Sequence, residues 1–147
     1  MRKKIFIGIF LLVGLITLAL FVVYLLQTSG VYGQYECTVY TEETTGDPVN
    51  LLPNYSYYRL ELKLNRTFVM TSLIKGQEEA STATGTFTKS RQTITLTYAK
   101  GQNPVEAVIF PSEVFVYRNG TLNRNQSGSF SGTSFQTTVV QEFVKKR

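Results

Sequence analysis

Side chains able to do chemistry are sparse in this chain. Histidine is absent from all 147 residues, and cysteine occurs once, as Cys37. Without histidine the commonest general base and the commonest metal ligand are both missing. A lone Cys37 cannot close an internal disulfide. In an oxidising compartment it would pair between chains or react, or it is simply a small buried residue of the strand-like QYECTVY. Carboxylates gather once, in TEETTGDPVNLLPN, where Glu42, Glu43 and Asp47 lie close together. Such a group could hold Ca²⁺, but the spacing fits no EF-hand loop, and a solvated connection between strands is the simpler reading. Tyrosines cluster in NYSYY and at Tyr32, Tyr35 and Tyr40. They could form an aromatic platform for a sugar or a lipid edge, or pack at a rim with their hydroxyls in water. The sequence therefore predicts no catalytic residue, no metal, no cofactor and no enzymatic activity.

Charge narrows the partners further. Setting aside Arg2, Lys3 and Lys4 leaves twelve basic residues against ten acidic ones. That balance gives no basic field of the kind nucleic acid requires. The tail VKKR groups Lys145, Lys146 and Arg147, which could touch an anionic cell-wall polymer or lipid headgroups, or merely keep the terminus soluble.

The first element that must position anything is the uncharged run from Ile5 to Leu26. As a helix it would extend about 33 Å, enough to cross a bilayer. Three cations precede it and the next Lys or Arg is Arg59, so the N-terminus is expected in the cytoplasm. The expected organisation is a basic tip at 1–4, a transmembrane helix or uncleaved signal anchor at 5–26, a linker at 27–32 and an extracytoplasmic domain at 33–147. A cleaved signal peptide is the alternative, with small residues near Thr28–Gly30 and Val31–Gly33 as cleavage positions, and the domain is then secreted.

Beyond Ser29 no helical period is evident. Short runs of Thr, Tyr, Phe and Val between Gly, Pro, Asn and Ser predict an all-β domain. Strands are expected near Gly33–Tyr40, Tyr57–Leu64, Phe68–Ile74, Thr84–Thr88, Gln92–Ala99, Val105–Phe110, Glu113–Tyr117 and Ser134–Val144, with a short ninth at Thr121–Arg124. Alternation in YYRLELKL puts Tyr58, Leu60, Leu62 and Leu64 on one face, and Arg59, Glu61 and Lys63 on the other. A three-residue loop at Asn65–Thr67 would set Leu64 opposite Phe68 and Leu62 opposite Met70. A turn at Ser90-Arg91 would set Phe87 opposite Ile94 and Gly85 opposite Leu96. Asn119-Gly120 is the strongest turn signal, because a type I′ turn needs positive φ at both central positions. It pairs Tyr117 with Leu122 and Arg118 with Thr121, so Phe115, Tyr117 and Leu122 share a face.

In order, GQYECTVY, YYRLELKLNRTFVM, TGTFTKSRQTITLTY, YRNGTL and a last strand ending QEFVKKR resemble the short lipocalin-like (calycin-type) domains of exported bacterial proteins. The likeness runs from Gly33 to Lys146. It departs from lipocalins proper, which carry Gly-x-Trp on the first strand; this chain has Gly33-Gln34-Tyr35, no tryptophan and no C-terminal helix. The resemblance implies a fold, a small antiparallel up-and-down barrel of about eight strands. It also implies a bacterial source, in which the patterns at Asn54, Asn65, Asn119 and Asn125 are expected by chance; in a eukaryotic secretory pathway the same four would be glycan acceptors.

The expected function is a non-catalytic, membrane-anchored binding or interaction module, its partners the membrane and a protein or other cell-envelope component. The alternative is a carrier or sensor of a small apolar ligand held inside the barrel. Its contacts would then come from the inward set Leu60, Leu62, Leu64, Phe68, Met70, Phe87, Ile94, Leu96, Phe115 and Tyr117.

Overall fold

The computed structural model describes residues 12–22, 30–44, 46–101, 110, 112–129 and 136–146. The chain divides into two units, Met1–Val31 and Tyr32–Arg147. In the first, residues 12–22 form a helix, α1, with every residue exposed. Its one hydroxyl, on Thr17, donates back to the carbonyl of Val13 at 2.7 Å, which hides its polarity within the helix. No helix among the described residues is long and apolar enough to cross a membrane. The expected span 5–26 reaches beyond the described residues at both ends.

The second unit is built from β1 (Gly33–Glu43), β2 (Val49–Asn50), β3 (Tyr55–Leu62), β4 (Thr67–Ile74), β5 (Ser81–Ser90), β6 (Thr93–Tyr98), β7 (Glu113–Arg118), β8 (Thr121–Ser129) and β9 (Gln136–Lys145). From β3 onward each strand pairs antiparallel with the next. β1 closes the ring, pairing with β3 along Gly33–Glu36 and with β9 along Tyr35–Glu43. The result is a closed eight-stranded antiparallel barrel, with β2 added outside β1. An irregularity between Cys37 and Val39 bends β1 where it passes from one partner to the other. The strand expected at Val105–Phe110 lies almost wholly outside the described residues. The short ninth strand is a full wall element, β8.

The Asn-Gly hairpin forms as its chemistry requires. Asn119 and Gly120 have φ of 50° and 84°, Tyr117 pairs with Leu122 and Arg118 with Thr121. The other two hairpins keep the expected faces but not the expected partners. Between β3 and β4 the loop has three residues, as expected, but they are Leu64–Arg66 and not Asn65–Thr67. The Lys63 amide donates to the Thr67 carbonyl at 2.9 Å, and the Arg66 amide to the Lys63 carbonyl at 3.0 Å. Asn65 Oδ1 accepts from the Thr67 amide at 3.2 Å and from its hydroxyl at 2.7 Å, while Arg66 takes the left-handed corner at φ 62°. That arrangement uses Leu64 as the first corner residue. Phe68 therefore sits opposite Leu62 and Met70 opposite Leu60, and Leu64 is 76 % exposed. Its expected inward place is corrected. The β5–β6 turn is likewise displaced by one, to Arg91-Gln92, with Phe87 opposite Leu96 and Gly85 opposite Tyr98.

Each correction moves partners by two positions, so the parity of the faces survives. Leu64→Ser is accordingly expected to change stability by less than about 0.5 kcal/mol. Leu62→Ala, at a site 1 % exposed, should cost about 2–5 kcal/mol. Urea unfolding of the two variants measures both, and equal losses would contradict the loop described.

Candidate functional site

Leu60, Leu62, Phe68, Met70, Phe87, Ile94, Leu96 and Phe115 point into the barrel and are between 0 % and 5 % exposed. Next to none of their surface has room for a water molecule beside it. Tyr117 is half-buried and Leu64 lies outside, so the inward set comes together without its third leucine. An eight-stranded barrel is just wide enough to be filled by its own side chains. Aromatics bridge the space. Tyr55 stacks on Tyr58 at 5.3 Å between ring centroids, Tyr58 meets Phe143 edge-on at 5.4 Å, and Phe143 meets Phe115 at 5.8 Å.

The sequence reading missed the polar heart of this interior. Glu113 from β7 and Arg124 from β8 are each 1 % exposed, and Arg124 Nη1 lies 3.0 Å from Glu113 Oε1. Arg124 Nη1 also donates to Gln141 Oε1 on β9 at 2.9 Å, and Arg124 Nε to Gln126 Oε1 on β8 at 3.1 Å. Its guanidinium covers the Phe110 ring, 4.7 Å from the centroid. Tyr98 on β6 donates to Glu113 Oε1 at 2.7 Å, and Tyr58 on β3 to Met70 Sδ at 3.2 Å. Gln126 Nε2 donates to the Ser112 carbonyl at 3.0 Å, tying the network to the residue before β7. Gln141 Nε2, on a residue 1 % exposed, has no hydrogen-bond partner among the described residues.

A signal for this network was present. Extending the Asn119-Gly120 hairpin along the face shared by Phe115, Tyr117 and Leu122 brings Glu113, Arg124 and Gln126 inward. Chemically, a carboxylate and a guanidinium this close hold one another's charge in a low-dielectric interior. They are placed to fix β7, β8 and β9 against each other.

Away from this network the remaining groups are ordinary, some wet on the outer wall and some buried on β1. Glu36 lies 2.5 Å from Lys146 Nζ and 3.5 Å from Arg59 Nε. The hydrogen bond from Lys146, reinforced by the charge of Arg59, holds the Glu36 carboxyl below its usual range. Burial, with Tyr117 nearby, pushes the Tyr35 phenol well above its own. Cys37 is buried on β1, its thiol 3.2 Å from the Val39 carbonyl. Glu42 pairs with Val49 across β1 and β2, so the acidic stretch is partly sheet. Among the described residues no group of three or more His, Cys, Asp or Glu could hold a metal ion. A shallow groove of about 500 Å³ crosses the outer wall between Val39, Val114, Val116 and Val140. A second hollow of about 400 Å³ lies at the rim against Leu51, Pro53, Tyr55 and Ile74.

No family model, no curated protein and no solved structure matches the chain.

Proposed function

We propose that this protein is a non-catalytic binding or interaction module, held at the outer side of a membrane by its N-terminal apolar segment. Its domain is a lipocalin-like barrel of the kind found in exported bacterial proteins. The observation that carries the reading is the packing of the interior. The side chains that would line a ligand cavity instead touch each other, and the two ionised groups among them are engaged with one another at 3.0 Å. What such a barrel offers to a partner is its wall and its rims, where the valine-lined groove is the largest apolar feature described above.

The anchor is supported by α1. Leu12, Val13, Leu15, Ile16, Leu18 and Leu20 are between 51 % and 67 % exposed on a helix of the described residues, and apolar surface so arranged favours lipid over water. Arg2, Lys3 and Lys4 ahead of it favour a cytoplasmic N-terminus. One preparation tests both halves. The full chain is expected to resist alkaline extraction from membranes, and native mass spectra from mild detergent should give the mass of the chain alone. A domain recovered without residues 1–26 would make the helix a cleaved signal. A persistent apolar adduct would favour the carrier reading.

A further inference from the structure

The fold sorts charges that look evenly scattered along the chain. In an up-and-down barrel alternate connections fall at opposite ends. The three tight turns, the start of β1 and the end of β9 therefore share one end, and the described residues that follow β1, β4 and β6, at 44, 46–54, 75–80 and 99–101, share the other. Lys63 and Arg66 stand on the first tight turn, Lys89 and Arg91 at the second, Arg118 beside the third, and Lys145 and Lys146 where β9 finishes. All but the half-buried Lys145 are exposed. The acids nearest that end are Glu36 and Glu61, which lie against Lys146 and Lys63. At the opposite end Glu42, Glu43, Asp47, Glu78 and Glu79 outnumber Lys75 and Lys100. A domain of nearly balanced charge is thus polarised end to end.

We infer that the tight-turn end is a docking surface for an anionic lipid bilayer. Its cations come from four separate places in the chain, on rigid turns, and make a face and not a run. Lipid is the natural occupant because Gly33, where the chain enters the barrel, lies at this same end. Seven peptide steps from Leu26 span about 25 Å at most. This last argument rests on the membrane anchor proposed above. Basic residues near an anionic surface each contribute a few-fold in affinity, and salt screens them.

The test uses the full chain in nanodiscs of phosphatidylcholine alone, or with about a third phosphatidylglycerol, a fraction that gives a strongly negative surface. Amide exchange at 63–67, 90–93 and 118–121 should slow several-fold in the anionic discs only, while 75–80 exchanges alike in both. About 0.5 M salt, with a screening length of roughly 4 Å, should erase the difference. The combined variant Arg66→Asn, Lys89→Gln, Arg91→Asn, Arg118→Gln should erase it too, with an unchanged circular dichroism spectrum. Asparagine is chosen at the two left-handed corners because it tolerates positive φ. Equal exchange at the turns in both discs overturns the inference, as does slowing by soluble polyphosphate without slowing by anionic lipid. Failure of the anchor reads out separately, as loss of the chain from phosphatidylcholine discs. Co-sedimentation with phosphatidylglycerol vesicles then decides the docking surface, expected to weaken on the order of 100-fold in the variant.

Discussion

Arg124→Met is expected to destabilise the barrel by about 3–5 kcal/mol, because it leaves the Glu113 carboxylate charged and buried without its cation. Glu113 Oε1 would keep only the Tyr98 hydroxyl among the partners described above, while Gln141 Oε1 would lose the donor now facing it and Gln126 Oε1 would keep the Val114 amide at 3.4 Å. Removing both charges should hurt less than removing one. Glu113→Gln combined with Arg124→Met leaves Tyr98 an acceptor and should recover at least about half of the loss, since a buried ion pair as a whole is nearly neutral against uncharged replacements. Guanidinium chloride is an unsuitable denaturant here because it screens charge, so urea melts of the parent, both single variants and the double variant form the cycle. A double variant no better than Arg124→Met would sink the account, since the cost would then be lost packing and not an orphaned charge.

Why retain the pair at all, if it adds little stability? Its partners come from β6, β7, β8 and β9, four consecutive wall strands. A slip of β8 by two residues would keep every apolar side chain inside and would go unpunished by hydrophobic burial alone. It would, however, pull Arg124 away from Glu113 and Gln141 together. The pair therefore adds, to the Asn119-Gly120 turn that sets β7 against β8, a second constraint on a register that the apolar faces leave open.

The same distinction separates what could be read in the sequence from what could not. Alternation is a parity signal, so the inward faces of β3, β4, β5 and β7 were legible from Leu60, Phe68, Phe87 and Phe115. Parity does not choose between partners two residues apart. Only Asn119-Gly120 did so correctly, because asparagine and glycine themselves prefer positive φ. The left-handed corners of the other two turns fall to Arg66 and Arg91, which carry no such preference, and Leu64 was lost to the corner that Asn65 organises. Glu113 and Arg124 were on the right faces by parity, but charge argues for the outside. What makes their burial tolerable is Tyr98, fifteen residues before Glu113, and Gln141, seventeen after Arg124. Such contacts exist only once neighbouring strands have paired in register. The polarised ends were hidden for the same reason, as topology and not sequence gathers the turns.

Gly85→Ala should destabilise the protein, although intrinsic preference argues for the opposite sign. Glycine inside a strand normally costs about 0.5–1 kcal/mol relative to alanine, so exchange at an unconstrained site would help. Gly85 is not there for a special φ; it is there for space. A Cβ would run into the Thr97 carbonyl oxygen, lie 2.9 Å from the Thr97 carbonyl carbon and 2.7 Å from Phe68 Cε1. The ring could turn aside, but the carbonyl belongs to the strand that Gly85 pairs with through Tyr98, and moving it opens the β5–β6 ladder. Phe68 lies across from Gly85 on β4 and meets Tyr98 edge-on at 5.3 Å. The aromatic pair fills the room that the missing side chain leaves, an arrangement known to compensate glycine in sheets. We expect a loss of about 1–3 kcal/mol for Gly85→Ala and more for Gly85→Val. Phe68→Leu in the alanine background separates the two collisions. It relieves the ring contact and leaves the backbone one, so the combined variant should fall short of Phe68→Leu alone. Thermal unfolding showing Gly85→Ala to be neutral or stabilising would mean that the wall yields there. Tyr98 would then be free to shift from Glu113, and the buried network would have lost the constraint that holds its acceptor in place.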